Sequence, residues 1–185
     1  MEKIPTALVR DPENRAKVLL EVTPGCEWVF AGEGVPTRKW DGTCVMLDTQ
    51  GSWWARREVK AGKLNPPSFV PVTFDEVTGK KQGWEPIEQS PFAKFHTEAL
   101  SVKPTSFEPG TYELIGPKIN GNPDHFGVHY LLKHSEAPVL TDLEKPLNPL
   151  DVCALLKILC TLDSMEGVVW HHPDGRMAKL KAKDL

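Results

Sequence analysis

Short apolar runs separated by turn residues make up most of this chain, and one long helical pattern stands out near its end. The segment Val35–Thr43, which carries Lys39, runs through Gly42-Thr43 into the apolar stretch Val45-Met46-Leu47, predicting a strand. After a turn at Thr49-Gln50-Gly51-Ser52, Trp53–Val59 predicts the second strand of a hairpin with this lysine strand. Arg56 and Arg57 then point to opposite faces. Thr111–Ile115 and Val128–Leu132 predict two further strands. A carboxylate within an apolar strand is costly without a partner, so Glu113 requires either a salt bridge or a ligand. Near the C-terminus Asn148 caps a helix that Pro149 begins, and Leu150, Val152, Cys153, Leu155, Leu156, Ile158, Leu159 and Leu162 give it a broad core surface. Glu166–Trp170 and Arg176–Lys181 predict the last two strands, joined by a turn on Pro173-Asp174-Gly175.

Four weaker patterns complete the reading. Asp11-Pro12 predicts a helix reaching Leu20, with Asp11 as N-cap, and Trp28–Phe30 predicts a strand. Lys60–Glu88 reads as a long surface excursion. Pro91–Leu100 predicts a short helix in which Phe95 and His96 are packing residues.

Seventeen prolines and fourteen glycines suit short strands better than long helices. At 185 residues the chain is expected to form one domain with a substantial core. Its formal charge of −3 gives no whole-chain footprint of a nucleic-acid binder, so any such surface is local. Arg176, Lys179, Lys181 and Lys183 make the tail the obvious place. Cys26, Cys44, Cys153 and Cys160 show neither CxxC nor zinc spacing and read as reduced thiols of a cytoplasmic protein. No apolar leader and no run of membrane-spanning length is present.

Candidate chemistry centres on Lys39-Trp40-Asp41-Gly42. A lysine is a covalent nucleophile once a positive field or desolvation strips its proton, and a nearby carboxylate such as Asp41 suits a divalent metal. Taken alone, the same residues describe a solvated surface turn. Gly116–Pro123, with two Gly, two Asn and a Lys, has the donors and backbone freedom to cradle a phosphate. Lys179 and Lys181 share a strand face, where an anionic ligand would relieve their repulsion.

The order of these pieces resembles the covalent nucleotidyltransferase superfamily of ATP-dependent DNA ligases, RNA ligases and mRNA capping enzymes, from about Val35 to Lys181. Pro36–Cys44, Trp54-Ala55-Arg56, Gly83–Pro86, Glu113–Gly116 with Ile119–Pro123, and Glu166–His171 are similar to the vertebrate 5′-to-3′ RNA ligase family. The resemblance implies an α+β fold, two antiparallel sheets with flanking helices and a nucleotide site between them. It implies an ATP-dependent RNA ligase that joins 5′-phosphate and 3′-hydroxyl RNA ends. Lys39 would attack the α-phosphate to give lysyl-N-AMP, with Lys179 and Lys181 on that phosphate and lowering the pKa of Lys39 by repulsion. Thr37, Arg38 and Arg56 (Arg57 in reserve) join the nucleotide-binding set. Glu113 would hold the ribose hydroxyls, and Asp41 and Glu166 would hold Mg2+, or Mn2+ in its place. Tyr130 and Phe126 are the candidate adenine-stacking aromatics. The chain ends four residues after Lys181, which implies a single 1–185 nucleotidyltransferase domain with no C-terminal oligonucleotide-binding domain. A capping-type guanylyltransferase, a minimal DNA ligase and a non-catalytic nucleotide- or RNA-binding module are the alternatives.

Overall fold

The computed structural model describes residues 3–102 and 106–185. The fold is α+β with antiparallel sheets, as the sequence predicts. The chain falls into two compact units, residues 41–136 and residues 4–40 with 137–185.

The first unit is built on a six-stranded antiparallel sheet. In chain order its strands are β4 (Thr43–Leu47), β5 (Trp53–Val59), β6 (Val70–Asp75), β7 (Lys80–Pro86), β8 (Gly110–Ile115) and β9 (Tyr130–Lys133). Across the sheet they run β6-β7-β5-β4-β8-β9. Register pairs Val45 with both Ala55 and Tyr112, so these residues share one face. With Leu47, Leu114, Ile87, Ala99 and Ile119 they form a core, completed by Trp53, Phe92, Phe95 and Phe107. Helix α2 (Ala93–Val102) supplies Ala99 and His96 to it. The His96 ring meets Trp53 edge-on at 4.6 Å, which makes it the packing residue it was expected to be.

The predicted hairpin forms, but between β4 and β5. Lys39 itself sits on an earlier strand in another sheet. The predicted excursion 60–88 instead contains β6 and β7, which extend the sheet beyond β5. Gly83 and the run of polar residues gave β7 little strand character, and the ladders on both sides supply what propensity lacks. Gly83 is needed for contact, since a Cβ there would lie 2.2 Å from the Val70 carbonyl.

The second unit carries β3 (Val35–Lys39), β10 (Gly167–His171) and β11 (Met177–Lys181) in the order β11-β10-β3. A separate hairpin joins β1 (Leu8–Arg10) to β2 (Val18–Val22). This hairpin replaces the helix expected from Asp11. The Asp11 carboxylate accepts from Glu13 N at 2.8 Å and Asn14 Oδ1 from Ala16 N at 3.2 Å, so both side chains fold a turn instead of capping a helix. The expected strand at Trp28 is likewise a short helix, α1 (Glu27–Phe30). Neighbouring Trp28 and Val29 both enter the core, which a strand would forbid by sending them to opposite faces. Helix α3 (Pro149–Asp163) forms where predicted, and Asn148 Oδ1 accepts from Asp151 N at 2.9 Å. It buries Val152, Cys153 and Leu156 against Val168, Trp170, Ala178 and Leu180. Its apolar surface is broader than the core it meets, because Leu150, Ile158 and Leu162 stay exposed. Among the described residues no helix is long and apolar enough to cross a membrane.

Candidate active site

In the second unit, alternation along the three strands sorts the side chains. Val168, Trp170, Ala178 and Leu180 face the core. Thr37, Lys39, Val169, Lys179 and Lys181 take the other face. Register fixes their neighbours: Gly167 pairs with Lys39 on one side and Lys181 on the other, and Val169 pairs with Thr37 and Lys179. Position 167 must be glycine, since a Cβ would meet the Leu180 carbonyl at 2.2 Å. The two lysines therefore flank one narrow residue, next to Glu166.

Glu166 bonds to the ammonium groups of both Lys39 and Lys181. Lys183 Nζ lies 3.8 Å from the same carboxylate. Burial pushes the Glu166 carboxyl up, but the Lys39 charge and the bonds from both lysines outweigh it and hold the group below its ordinary value. Lys39 Nζ also donates to the Trp40 carbonyl at 3.2 Å. Lys39 and Lys181 are thus gathered on a carboxylate, whereas the sequence reading set Lys181 against Lys179. Lys183 is off the strand, in a short 3-10 turn (Ala182–Asp184). Thr37 Oγ1 donates to the Val169 carbonyl at 3.1 Å and lies 3.1 Å from His171 Nε2. Arg38 takes the opposite face from Lys39. Its guanidinium donates to the Asp163 carbonyl at 2.9 Å and stacks 4.2 Å from the Trp40 ring centroid, closing the C-terminus of α3.

Asp41 and Gly42 belong to the first unit. Glu113 Oε1 accepts from Gly42 N at 3.1 Å. Asn120 Nδ2 donates to Asp41 Oδ1 at 3.0 Å and to the Gly42 carbonyl at 2.7 Å. A Cβ on Gly42 would lie 2.4 Å from the Leu114 carbonyl, so this glycine serves close approach to β8. Glu113 has the partner its position demanded: His134 Nε2 lies 2.8 Å from Oε2, and His134 Nδ1 lies 2.9 Å from Thr111 Oγ1.

Arg56 shares the Glu113 face by register and donates to Gln82 Oε1 at 2.6 Å. Arg57 faces the other way, 3.8 Å from Glu85, whose carboxyl burial pushes up despite the guanidinium. Tyr130 lies on the Glu113 face, and Phe126 meets it edge-on at 5.5 Å. Among the described residues no three His, Cys, Asp or Glu side chains cluster as a metal site.

His134 was missed by reading motifs. No motif marks it: Tyr112 pairs with Lys133, so the position after β9 falls opposite Thr111, and this register brings it to the Glu113 face.

The family model for RNA ligase 1 matches residues 93–185, half of the chain. The chain belongs to the RNA ligase 1 family. The ligase thus takes RNA as its substrate class. The matched span holds Glu113, His134, Glu166, Lys179 and Lys181, and Lys39 and Asp41 precede it. No curated protein matches the chain.

Proposed function

We propose that this ligase joins RNA 5′-phosphate and 3′-hydroxyl ends at the expense of ATP, through AMP carried on Lys39. We also infer that it is a covalent nucleotidyltransferase close to the vertebrate 5′-to-3′ RNA ligases, working in a reducing cytoplasm with its thiols free. One observation carries the reading: Lys39 and Lys181 converge on Glu166 across Gly167.

Lys39 Nζ attacks the α-phosphate of ATP, a P–N bond forms, and pyrophosphate leaves with the electrons of the broken P–O bond. Lys39 must first lose its ammonium proton and its hold on Glu166. Glu166, kept below its ordinary pKa, acts as a counter-charge and is a poor base, so the proton leaves to water. Lys179 and Lys181 offset the charge gathering on the phosphate. AMP then passes to the RNA 5′-phosphate, and the 3′-hydroxyl displaces it. Glu113 bonds the ribose hydroxyls, held in place by Gly42 N and His134.

Asp41 and Glu166 each carry a carboxylate whose hard oxygens would suit Mg2+ or Mn2+, completed by substrate phosphates. Such an ion would neutralise phosphate charge.

Intact mass after incubation with magnesium and either ATP or GTP tests the reading. ATP is expected to add one AMP, at Lys39. An adduct from GTP alone would make this a capping-type enzyme, and no adduct at all would leave a binding module. Lys39→Ala is expected to fail with ATP and 5′-phosphate RNA yet seal RNA that already carries AMP.

A further inference from the structure

A groove of about 410 Å³ runs between α2 and the loop that follows β8. Lys94 and Lys118 stand at its sides, and Phe95, Val102 and Val128 give it an apolar surface. Val102 and Val128 are 40% and 43% exposed, which leaves apolar area open between two cations. Among the described residues Glu98 is the single acidic residue lining it. It bonds His129 Nδ1 at 2.7 Å and pairs with Lys94 at 3.9 Å.

The walls are built, not loose. His129 is buried, stacks on Phe95 with centroids 4.6 Å apart, and donates from Nε2 to the Pro117 carbonyl at 2.5 Å. Gly116 has φ +130, and a Cβ there would lie 2.7 Å from the Val128 carbonyl. Lys118 sits in the left-handed region at φ 67, beside fully buried Ile119. The backbone at Lys118 is therefore set by its neighbours. Lys118 is five residues beyond Glu113, on the same strand-to-loop path.

Cations that track a backbone, with an apolar surface between them for a base, form the recognition pattern of a single nucleic-acid strand. We propose that this groove binds the single-stranded RNA next to the end being sealed, with Lys94 and Lys118 on its phosphates and the Phe95, Val102 and Val128 surface under a base. The proposal rests on the function above only for which RNA is bound, since RNA as substrate class follows from the family.

The test measures binding of a fluorescent 5′-phosphorylated RNA 12-mer by anisotropy over a range of salt, with AMP loading by ATP alone read in parallel. Lys94→Glu with Lys118→Glu is expected to weaken RNA binding by roughly tenfold or more, and to flatten the slope of log affinity against log salt by about 0.7 per lysine. The melting temperature is expected to hold, and so is AMP loading in Lys94→Glu. The KM for pre-adenylated RNA is expected to rise with the binding loss. Unchanged RNA affinity in the double variant would overturn the proposal. An equal loss from reversing Lys63, an exposed lysine outside the groove, would overturn it too, as the sign of diffuse attraction. Absence of AMP loading in the unaltered protein, with groove variants still losing RNA, would defeat the proposed function and leave the groove standing.

Discussion

The two units solve opposite electrostatic problems. In the second, several ammonium groups share one nearly buried carboxylate, Glu166. In the first, the nearly buried carboxylate of Glu113 is held by a backbone amide and an imidazole. A carboxylate surrounded by lysines is strongly coupled to charge, and one held by an amide and a single imidazole is coupled to geometry. Glu166 therefore governs whether the cations stay gathered, and Glu113 governs where the Asp41-Gly42 turn sits against β8.

This contrast is broken most sharply by removing each carboxylate. Glu166→Ala leaves Lys39 and Lys181 facing one another in a half-buried site, and is expected to abolish AMP loading and sealing of pre-adenylated RNA. Its stability loss is expected at up to about 3 kcal/mol, because the amines lose a buried partner. Glu113→Ala leaves His134 Nε2 and the Gly42 amide without their shared partner, worth about 1–3 kcal/mol. Urea midpoints of the two variants give the comparison. Equal losses, or full activity of Glu166→Ala, would remove the distinction.

A finer division lies among the lysines. Lys181→Ala or Lys179→Ala is expected to slow AMP loading by about a hundredfold to a thousandfold, as when one preorganised charge leaves a transition state. Lys183 is 66% exposed in its side chain and sits beyond the strand, so Lys183→Ala should change the single-turnover rate only a few fold. Three equal effects would describe a diffuse basic patch.

Much of the second unit was legible because its chemistry follows a strand period. Lys179 and Lys181 share a face at a spacing of two, Asn148-Pro149 announces α3, and Glu166-Gly167 marks where neighbouring strands close in. Local turn chemistry misled elsewhere. Asp11 bonds a backbone amide two residues on, which is what a cap residue does in a different backbone path. β7 is a strand because β5 and β6 pair with it, information that no local window contains. His134 was hidden for the same reason, since its role comes from cross-strand register and from no motif.

His134 offers a test of the geometric half of the contrast. Replacing it with Ala removes one of two holds on Glu113 and touches no partner of Lys39. The expected outcome is a KM for ATP raised roughly tenfold, with kcat for AMP loading changed much less. His134→Gln, whose amide can still donate to Oε2, should recover part of that loss. A matched fall in kcat with no change in KM would place His134 outside nucleotide binding.

The smallest expected effect separates the units by pH. His96 is buried beside Trp53, and its Nε2 has no hydrogen-bond partner among the described residues. Burial lowers its pKa below 6.5, with Glu88 pulling weakly the other way. The folded state thus keeps His96 neutral where the unfolded chain has begun to protonate it. Its share of stability is full above pH 6.5 and is lost as pH falls from there through the folded value, with a slope of at most about 1.4 kcal/mol per pH unit. Glu166 also has a lowered pKa, so its share is present above the ordinary value of 4.5 and is lost only below it. Between pH 7 and 5 the pH dependence from these two groups therefore comes from the first unit. His96→Phe keeps an aromatic ring against Trp53 and removes the titration. Its urea midpoint is expected to vary less than that of the unaltered protein over this range, while the fall below pH 4.5 persists. An unchanged slope between pH 7 and 5 in His96→Phe would show that another group carries that dependence.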